Sequence, residues 1–448
     1  MARQIEELAA FVATAEWQDV PTDVQQHTRL VLLDTLGVIL AGAQRPEVRQ
    51  LREQLGTGSG ATVYAPGWST QDPRTAALLN GIAGRSIELC EGLRFVSGQA
   101  AMQVLPGVLA VGEHARSTGQ DLLMALLLGY DVAARLAGGF TPRPLAHQNG
   151  QVSLLAAAAA GARLRKLDAA GIARSMRLAT TLLLTPSYTN AVAGATTLNV
   201  AGGMSGFAAA LAPELALAGF EAQDDAIELA LGQLVGNGFT ADALLDELGV
   251  AWHITRNYFR LYACCNPIHP ALDCVHQVLA ELQPRPHEIA RIDIATYRFA
   301  SVMRNPDPPN FFASKYSLPH AAATMAVRGH AGHAALDDSA VHDPAIAALR
   351  HRVTVTEDPA MSEVAPRLRP ARVTMVLTDG RSATHSCDSH RGDFQQPFTE
   401  AELRDKFREL AGEVLTAEGV TAVEMAVDRC DSWASVDDLT TLCRRHGR

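Results

Sequence analysis

Apolar residues recur near the 3.6-residue period at the start of the chain, where Ile5, Leu8, Ala9, Phe11 and Val12 share a face. They do so again at Val31, Leu32, Thr35, Leu36 and Ile39, after the start signal Pro21-Thr22-Asp23. This spacing predicts amphipathic helices. Further helical patterns cover about 74–86, 101–116, 119–137, 151–164, 169–185, 201–219, 224–237 and 239–250. Alanine dominates several, as in LLAAAAAGARL (154–164). Small side chains let helix axes approach closely, so such helices belong in the middle of a helical domain.

The texture changes after about residue 283. Residues 289–297 and 371–378 alternate with period two, RVTVT (352–356) is a shorter strand, and Asp379-Gly380 signals a turn into RSATHS (381–386). Helical patterns at about 316–328 and 333–349 lie between them, and 398–411 and 430–445 return to helix. The expected fold is therefore mainly α. A large all-helical domain, 1–260 with 396–448, is interrupted by a smaller α+β lid domain, 265–395, inserted before the C-terminal helices. A cleft between two such units is a natural ligand site.

Composition narrows the function. With 448 residues, 48% of them hydrophobic and 19% charged, the chain is globular and aliphatic. A net charge of −10 without a basic patch argues against nucleic acid or an anionic membrane as partner. The most apolar stretch, 178–213, is interrupted by Ser, Thr, Asn, Gly and Pro and reads as buried helices and turns, not as a membrane span. Seven cysteines form no disulfide framework, and the N-terminus lacks the pattern of a secretion signal, so a cytoplasmic location is expected.

Several clusters carry candidate chemistry. Gly56-Thr57-Gly58-Ser59-Gly60 has no Gly-Lys-Ser/Thr after it and reads as a loop. In 84–99, Arg85, Glu88, Glu91 and Arg94 stand at spacings of three; in a helix they would share one face, either solvated or lining a ligand. His147, in a Pro- and Gly-bearing loop before an alanine-rich helix, is a candidate acid or base. In NYFRLYACCNPIHPALD (257–273), Pro270 suits a first helical position, which sets His269 at or beside the N-cap. A neutral His269 there is a candidate base. A metal site from Cys264, Cys265, His269 and Cys274 is an alternative with unfamiliar spacing, and a buried hinge is another. Lys315, Tyr316 and His320 surround a helix start at Pro319, where Lys315 could anchor a carboxylate or simply belong to a loop junction.

Together, LLDTLGVILAGA (32–43), LLNGIAGRSIELCEG (78–92), VLPGVLAVGE (104–113), NYFRLYACCNPIHPALD, ASKYSLPHAAA (313–323), TDGR (378–381) and PFTEAELRDKF (397–407) resemble the MmgE/PrpD family in order and spacing. The resemblance implies a helical domain closed by an α+β lid, a homodimer, and proton abstraction beside a carboxylate of a small organic acid without organic cofactor or metal. It sets His147 and His269 as catalytic residues and Arg85, Glu88, Glu91, Arg94, Gln99, Lys315 and Tyr316 along the substrate. Gly84-Arg85 replaces the family's Ala-His, Cys90 an acid, Gln99 a histidine, and Leu198 a Lys or Arg. These changes imply a less charged or differently charged substrate, or lost catalysis. A dehydratase is the leading expectation; epimerase, decarboxylase and non-catalytic binding homologue are alternatives.

Overall fold

The computed structural model describes residues 2–93 and 98–448, and its helices begin where the sequence supplies caps. Asp72 accepts from the backbone N–H of Arg74 and Thr75 ahead of helix Pro73–Arg85. Thr118 with Asp121 and Thr399 with Glu402 form capping boxes at Gly119–Gly139 and Glu400–Ala411. Helices Pro73–Arg85, Ala100–His114, Gly119–Gly139, Val152–Leu164 and Thr197–Leu217 pack on one another and are buried over most of their surface. Small residues permit this: a Cβ on Gly81 would lie 2.7 Å from the Gly203 Cα, so two helix backbones touch there. Gly119–Gly139 and Thr197–Leu217 are long and apolar enough to cross a membrane by length and composition alone, and 89% and 61% of their most apolar windows are buried inside the fold.

The α+β region carries a four-stranded sheet ordered Val353–Glu357, Ile289–Thr296, Ala371–Leu377, Ser382–Cys387. The first pair is parallel and the other two antiparallel. Ala371, Val373, Met375 and Leu377 alternate inward against helix His269–Leu282, while their neighbours are exposed or half-buried. The chain is thus mainly helical, with this smaller α+β region inserted before the C-terminal helices Glu400–Ala411, Ala417–Asp428 and Asp437–His446. Those helices return to the helical body, where Phe407 packs on Gly37. The lid's apolar core is completed by body residues, among them Val38, Ile87, Leu89, Cys90, Met102 and Leu198. The segment 86–93 therefore lies at the seam of the two units.

Several helical expectations fail, some to tertiary contacts and one to a local cap. The 224–250 patterns become a short helix Ala226–Leu229, a wide turn, a strand Gly236–Phe239 paired with Phe140–Pro142, and one tight turn at 242–244. Buried Arg135 donates to the carbonyls of Leu244, Asp246, Glu247 and Ala251 at 2.6–3.4 Å, taking acceptors that a helix would use internally. The pattern at 333–349 splits into Asp338–His342 and Pro344–Arg350, because Asp343 caps the backbone of Ala345 and Ile346. The segment after Arg85 is not helical either. Helix Pro73–Arg85 ends there, Glu88 takes a left-handed φ of +53°, and Gly92 pairs its backbone with Tyr258. Glu88 and Glu91 consequently share no helix face with Arg85, and Arg94 lies outside the described residues.

Candidate functional site

A cavity of about 230 Å³ opens at the seam, lined by Glu88, Leu93 and Gln99 of the body, His147 and its loop, Tyr188, and Tyr258, Arg260, Cys265, Asn266, Tyr316 and Arg369. At its base is a buried ion cluster. Glu88 accepts from Arg85 and, at 2.7 Å, from Arg260 Nη1, while the Tyr316 hydroxyl donates to Glu88 Oε2 and accepts from Arg85 Nη2, both at 2.9 Å. Arg260 also holds the carbonyls of Glu88 and Cys264 at 3.1 and 3.2 Å. Burial alone would raise the Glu88 carboxyl, but Arg85 and Arg260 outweigh it and hold the group at about 2. The left-handed backbone at Glu88 is local strain kept in place by this cluster. Any Cβ on Gly92 would collide with the Tyr258 ring that closes the same corner.

His147 is presented by a loop tied to residues 184–188: its N–H donates to Pro186 O at 2.7 Å and Leu184 N–H to Gly150 O at 3.0 Å. Its ring stacks on Tyr188 at 5.6 Å between centroids, and Nδ1 accepts the Asn149 N–H at 3.1 Å. A backbone N–H can only donate, so the neutral ring carries its hydrogen on Nε2. Burial, reinforced by Arg85, lowers this imidazole to about 3. The Tyr188 hydroxyl lies 3.7 Å from the Cys265 thiol, which burial pushes up to about 12.

The remaining sequence candidates separate. His269 opens helix His269–Leu282 beside Pro270, is 1% exposed, and donates Nε2–H to Cys264 O at 3.1 Å; it is not among the residues lining the cavity. Burial and then His390 lower it well below the ordinary imidazole value. Glu91 turns into the helical body, where it accepts from the Ala101 N–H and the Tyr130 hydroxyl at 2.9 and 2.8 Å, and burial raises it to about 7. Lys315 lies buried over the Phe311 ring with its ammonium on Leu336 O, away from the cavity lining, and burial lowers it to about 7. Arg85 stands behind the lining, reaching the cavity through Glu88 and Tyr316. Gln99 lines it with a buried, unpartnered Oε1. Leu198 is fully buried among the lid's apolar residues. Cys264, Cys265, His269 and Cys274 do not assemble as a metal-ligand set; among the described residues no group of three or more such donors does.

The sequence reading missed Arg260, Tyr188, Asn266 and Arg369. Arg260 carried a usable signal, because it is the only charge between residues 257 and 272, and a cation inside an apolar run needs a buried anion. A second, wider groove of about 860 Å³ is lined by Leu89, Tyr262, Asp273, His330, His333, Lys406 and others, but its polar groups largely satisfy one another. Asp273 takes Tyr262 OH and Arg391 N–H, His333 meets Glu413 at 2.9 Å, and Lys406 holds Asp34 and Leu89 O.

A helical body and an inserted α+β region thus meet at a small cavity lined by arginines, tyrosines and one histidine. The profile of the MmgE/PrpD N-terminal domain matches residues 6–239 and that of the MmgE/PrpD C-terminal domain residues 262–431. The chain belongs to the MmgE/PrpD family. It is similar to the cis-aconitate decarboxylase-like protein oryM of Aspergillus oryzae, 24% identical over 97% of this chain and 96% of that protein. It is also similar to the cis-aconitate decarboxylases of Aspergillus terreus (22% identical, 97% and 95% covered) and Homo sapiens (22% identical, 94% and 90% covered). Membership supports catalysis on small organic acids of a lyase type.

Proposed function

We propose that this protein is a cofactor-independent lyase that forms a carbanion beside a carboxylate of a small organic acid, and that it does so by decarboxylation. The observation that carries the reading is the hydrogen-bonded state of His147. With Nδ1 filled by Asn149 and the ring neutral, the cavity receives an N–H donor and no imidazole lone pair. Glu88, the one carboxylate in the lining among the described residues, is bound by two guanidiniums. Dehydration and epimerisation both begin with a base removing a carbon-bound proton. Decarboxylation needs no base. The bond to the departing carboxylate breaks, its electron pair passes into an adjoining carbonyl or conjugated acid group, and carbon dioxide leaves. The carbanion then takes a proton, with Tyr188 and Cys265 as carriers in the lining. A neutral His147 N–H stabilises the oxygen on which charge collects, a role that a lowered imidazole pKa suits. The relatives named as cis-aconitate decarboxylases support the same chemistry, while neutral Gln99 and buried Leu198 favour a substrate with fewer carboxylates than cis-aconitate.

The test is incubation of the purified protein in deuterated water with unsaturated and keto mono-, di- and tricarboxylates, followed by NMR and headspace carbon dioxide. Carbon dioxide release with deuterium gained at the adjoining carbon is expected; loss of water, or exchange without loss of mass, would overturn decarboxylation. His147→Phe keeps the ring stack but removes the donor, so kcat should fall roughly 10²–10³-fold with the melting temperature nearly unchanged. Because the ring titrates at about 3, kcat/KM of the native protein should show no limb from His147 between about pH 5 and about pH 8. A limb near pH 6.5 that disappears in His147→Phe would return the histidine to the role of base.

A further inference from the structure

The cavity changes character between its base and its mouth. At the base, Arg260 and Tyr316 are bound to Glu88, and all three are 1–2% exposed. Toward solvent the lining is uncharged but for Arg143, and much of it is apolar. Phe299 is 47% exposed, Pro144 is exposed, and Pro142, Ala146 and Pro267 are half-buried.

Rings in contact join the two ends. Tyr316, whose hydroxyl donates to Glu88, meets Tyr188 edge-on at 6.3 Å between centroids, and Tyr188 meets Phe299 at 5.2 Å and 45°. All three line the cavity. This aromatic wall is pinned from both units. In the body, the Tyr188 N–H donates to Leu145 O at 2.9 Å. In the lid, Phe299 sits on the helical turn Arg298–Ser301, whose first N–H donates to Ser362 Oγ at 2.8 Å. Single exposed apolar side chains are ordinary on a protein surface. A phenylalanine that continues an aromatic wall out of a charged cavity is different: it is placed to take the apolar part of a ligand whose charge lies inside. A site for a small, multiply charged acid would also gain from cations at its mouth, which draw anions in. Here the one such cation, Arg143, donates Nη2 and Nε to the carbonyls of Gln233 and Leu234 at 2.9 and 3.3 Å.

We propose that the substrate acid carries an alkyl tail that runs from the charged base along Tyr188 and lies on Phe299 at the cavity mouth. The acid head rests on the reading of the protein as a lyase of organic acids; the tail rests on the wall. Such a tail stands where a more highly charged substrate would carry a further carboxylate, in keeping with the neutral Gln99 in the lining. The wall also sets a length. Each methylene that reaches it leaves water and adds affinity, and carbons beyond Phe299 return to water and add none.

The tail site is tested by binding, without turnover, using 2-alkylsuccinates from methyl to octyl as probes in calorimetry and saturation-transfer NMR. Affinity should rise roughly two- to four-fold per methylene over the first few carbons and then level off. Saturation should transfer to the alkyl protons. The readout for the wall is the ratio of hexyl- to methylsuccinate affinity. Phe299→Ala should lower that ratio roughly three- to ten-fold, and Phe299→Leu should restore most of it. Phe299 is half exposed, so a melting temperature close to that of the native protein is expected for both variants. Leu145, 69% exposed in the neighbouring loop but outside the lining, supplies the control: Leu145→Ser should leave the ratio as it is. An affinity independent of chain length, a ratio unmoved by Phe299→Ala, or an equal fall in Leu145→Ser would each overturn the tail site. If the chain-length dependence holds while no tailed unsaturated or keto acid loses carbon dioxide, the reaction reading fails and the tail site stands. If tailed and tailless acids lose carbon dioxide with equal kcat/KM, the reaction stands and the tail site fails.

Discussion

Glu88 and Glu91 follow the end of one helix three residues apart, both fully buried, and settle in two different environments. Glu88 faces the lid side of the seam between Arg85 and Arg260, and its carboxyl is held at about 2 although burial opposes ionisation. Glu91 faces the helical body with a tyrosine hydroxyl and one backbone N–H at the start of helix Ala100–His114, and burial raises it to about 7. Burial is common to both. What differs is whether a full opposite charge is within reach, since neutral donors only partly replace lost hydration. The seam concentrates fixed charge on the ligand side and keeps a readily protonated acid on the structural side.

The largest effect should come from removing the fixed anion. Glu88→Ala leaves Arg85 and Arg260 as two buried cations facing each other, which should cost roughly 3–5 kcal/mol in urea unfolding. Glu91→Ala removes a group that is already partly neutral near pH 7 and should cost distinctly less at that pH. Equal costs would dissolve the contrast between the two seats.

The next effect separates them by pH. The folded value of Glu91 is raised above its unfolded one, so its contribution to stability is complete below about pH 4.5 and is lost as pH rises through about 7. Glu91→Gln keeps an acceptor for Ala101 without the charge. Its stability relative to the native protein should therefore climb between about pH 4.5 and about pH 7 by roughly 3 kcal/mol at most, then level off. Glu88 runs the other way: its depressed value gives stability that is present above about pH 4.5 and is lost as pH falls through about 2. Melting curves of Glu91→Gln that differ from the native protein by a constant offset across pH 5 to pH 8 would sink the assignment of a raised Glu91.

The two seats also mark what the sequence could and could not disclose. Strands such as Ala371–Leu377 were legible because one buried face imposes its period on neighbouring residues, and the all-round buried helix Val152–Leu164 was legible from its run of alanines. The divergence of Glu88 from Glu91 was not, since the spacing of three with Arg85 is equally consistent with a helix. The helix stops because Gly92 pairs with Tyr258, more than 160 residues onward, and Lys406 of a C-terminal helix takes the carbonyl of Leu89. Arg135 acts likewise on 244–251, where a tertiary donor overrides a good local pattern. In the cavity, His147, Gln99, Glu88 and Tyr316 lie in segments whose family resemblance could be read. Asn266, although inside NYFRLYACCNPIHPALD, and Arg369 escaped because they stand 103 positions apart in sequence and meet only in the folded cavity wall.

The smallest effect tests the neutral donors on the body side. The Tyr130 hydroxyl donates to Glu91 Oε2 at 2.8 Å, and Tyr130→Phe removes that donor while keeping the buried ring. At pH 5, with Glu91 largely protonated, the loss is one hydrogen bond between neutral groups and should cost roughly 0.5–1.5 kcal/mol. At pH 8 the same hydroxyl serves a carboxylate, and the cost should rise to roughly 1.5–3 kcal/mol. The increase exists only if Glu91 ionises within that window, so it should vanish when Tyr130→Phe is made in the Glu91→Gln protein. The double-mutant cycle at the two pH values thus measures the coupling directly. A Tyr130→Phe cost that is the same at both pH values, and that survives unchanged in the Glu91→Gln background, would show that the hydroxyl packs beside Glu91 without responding to its charge.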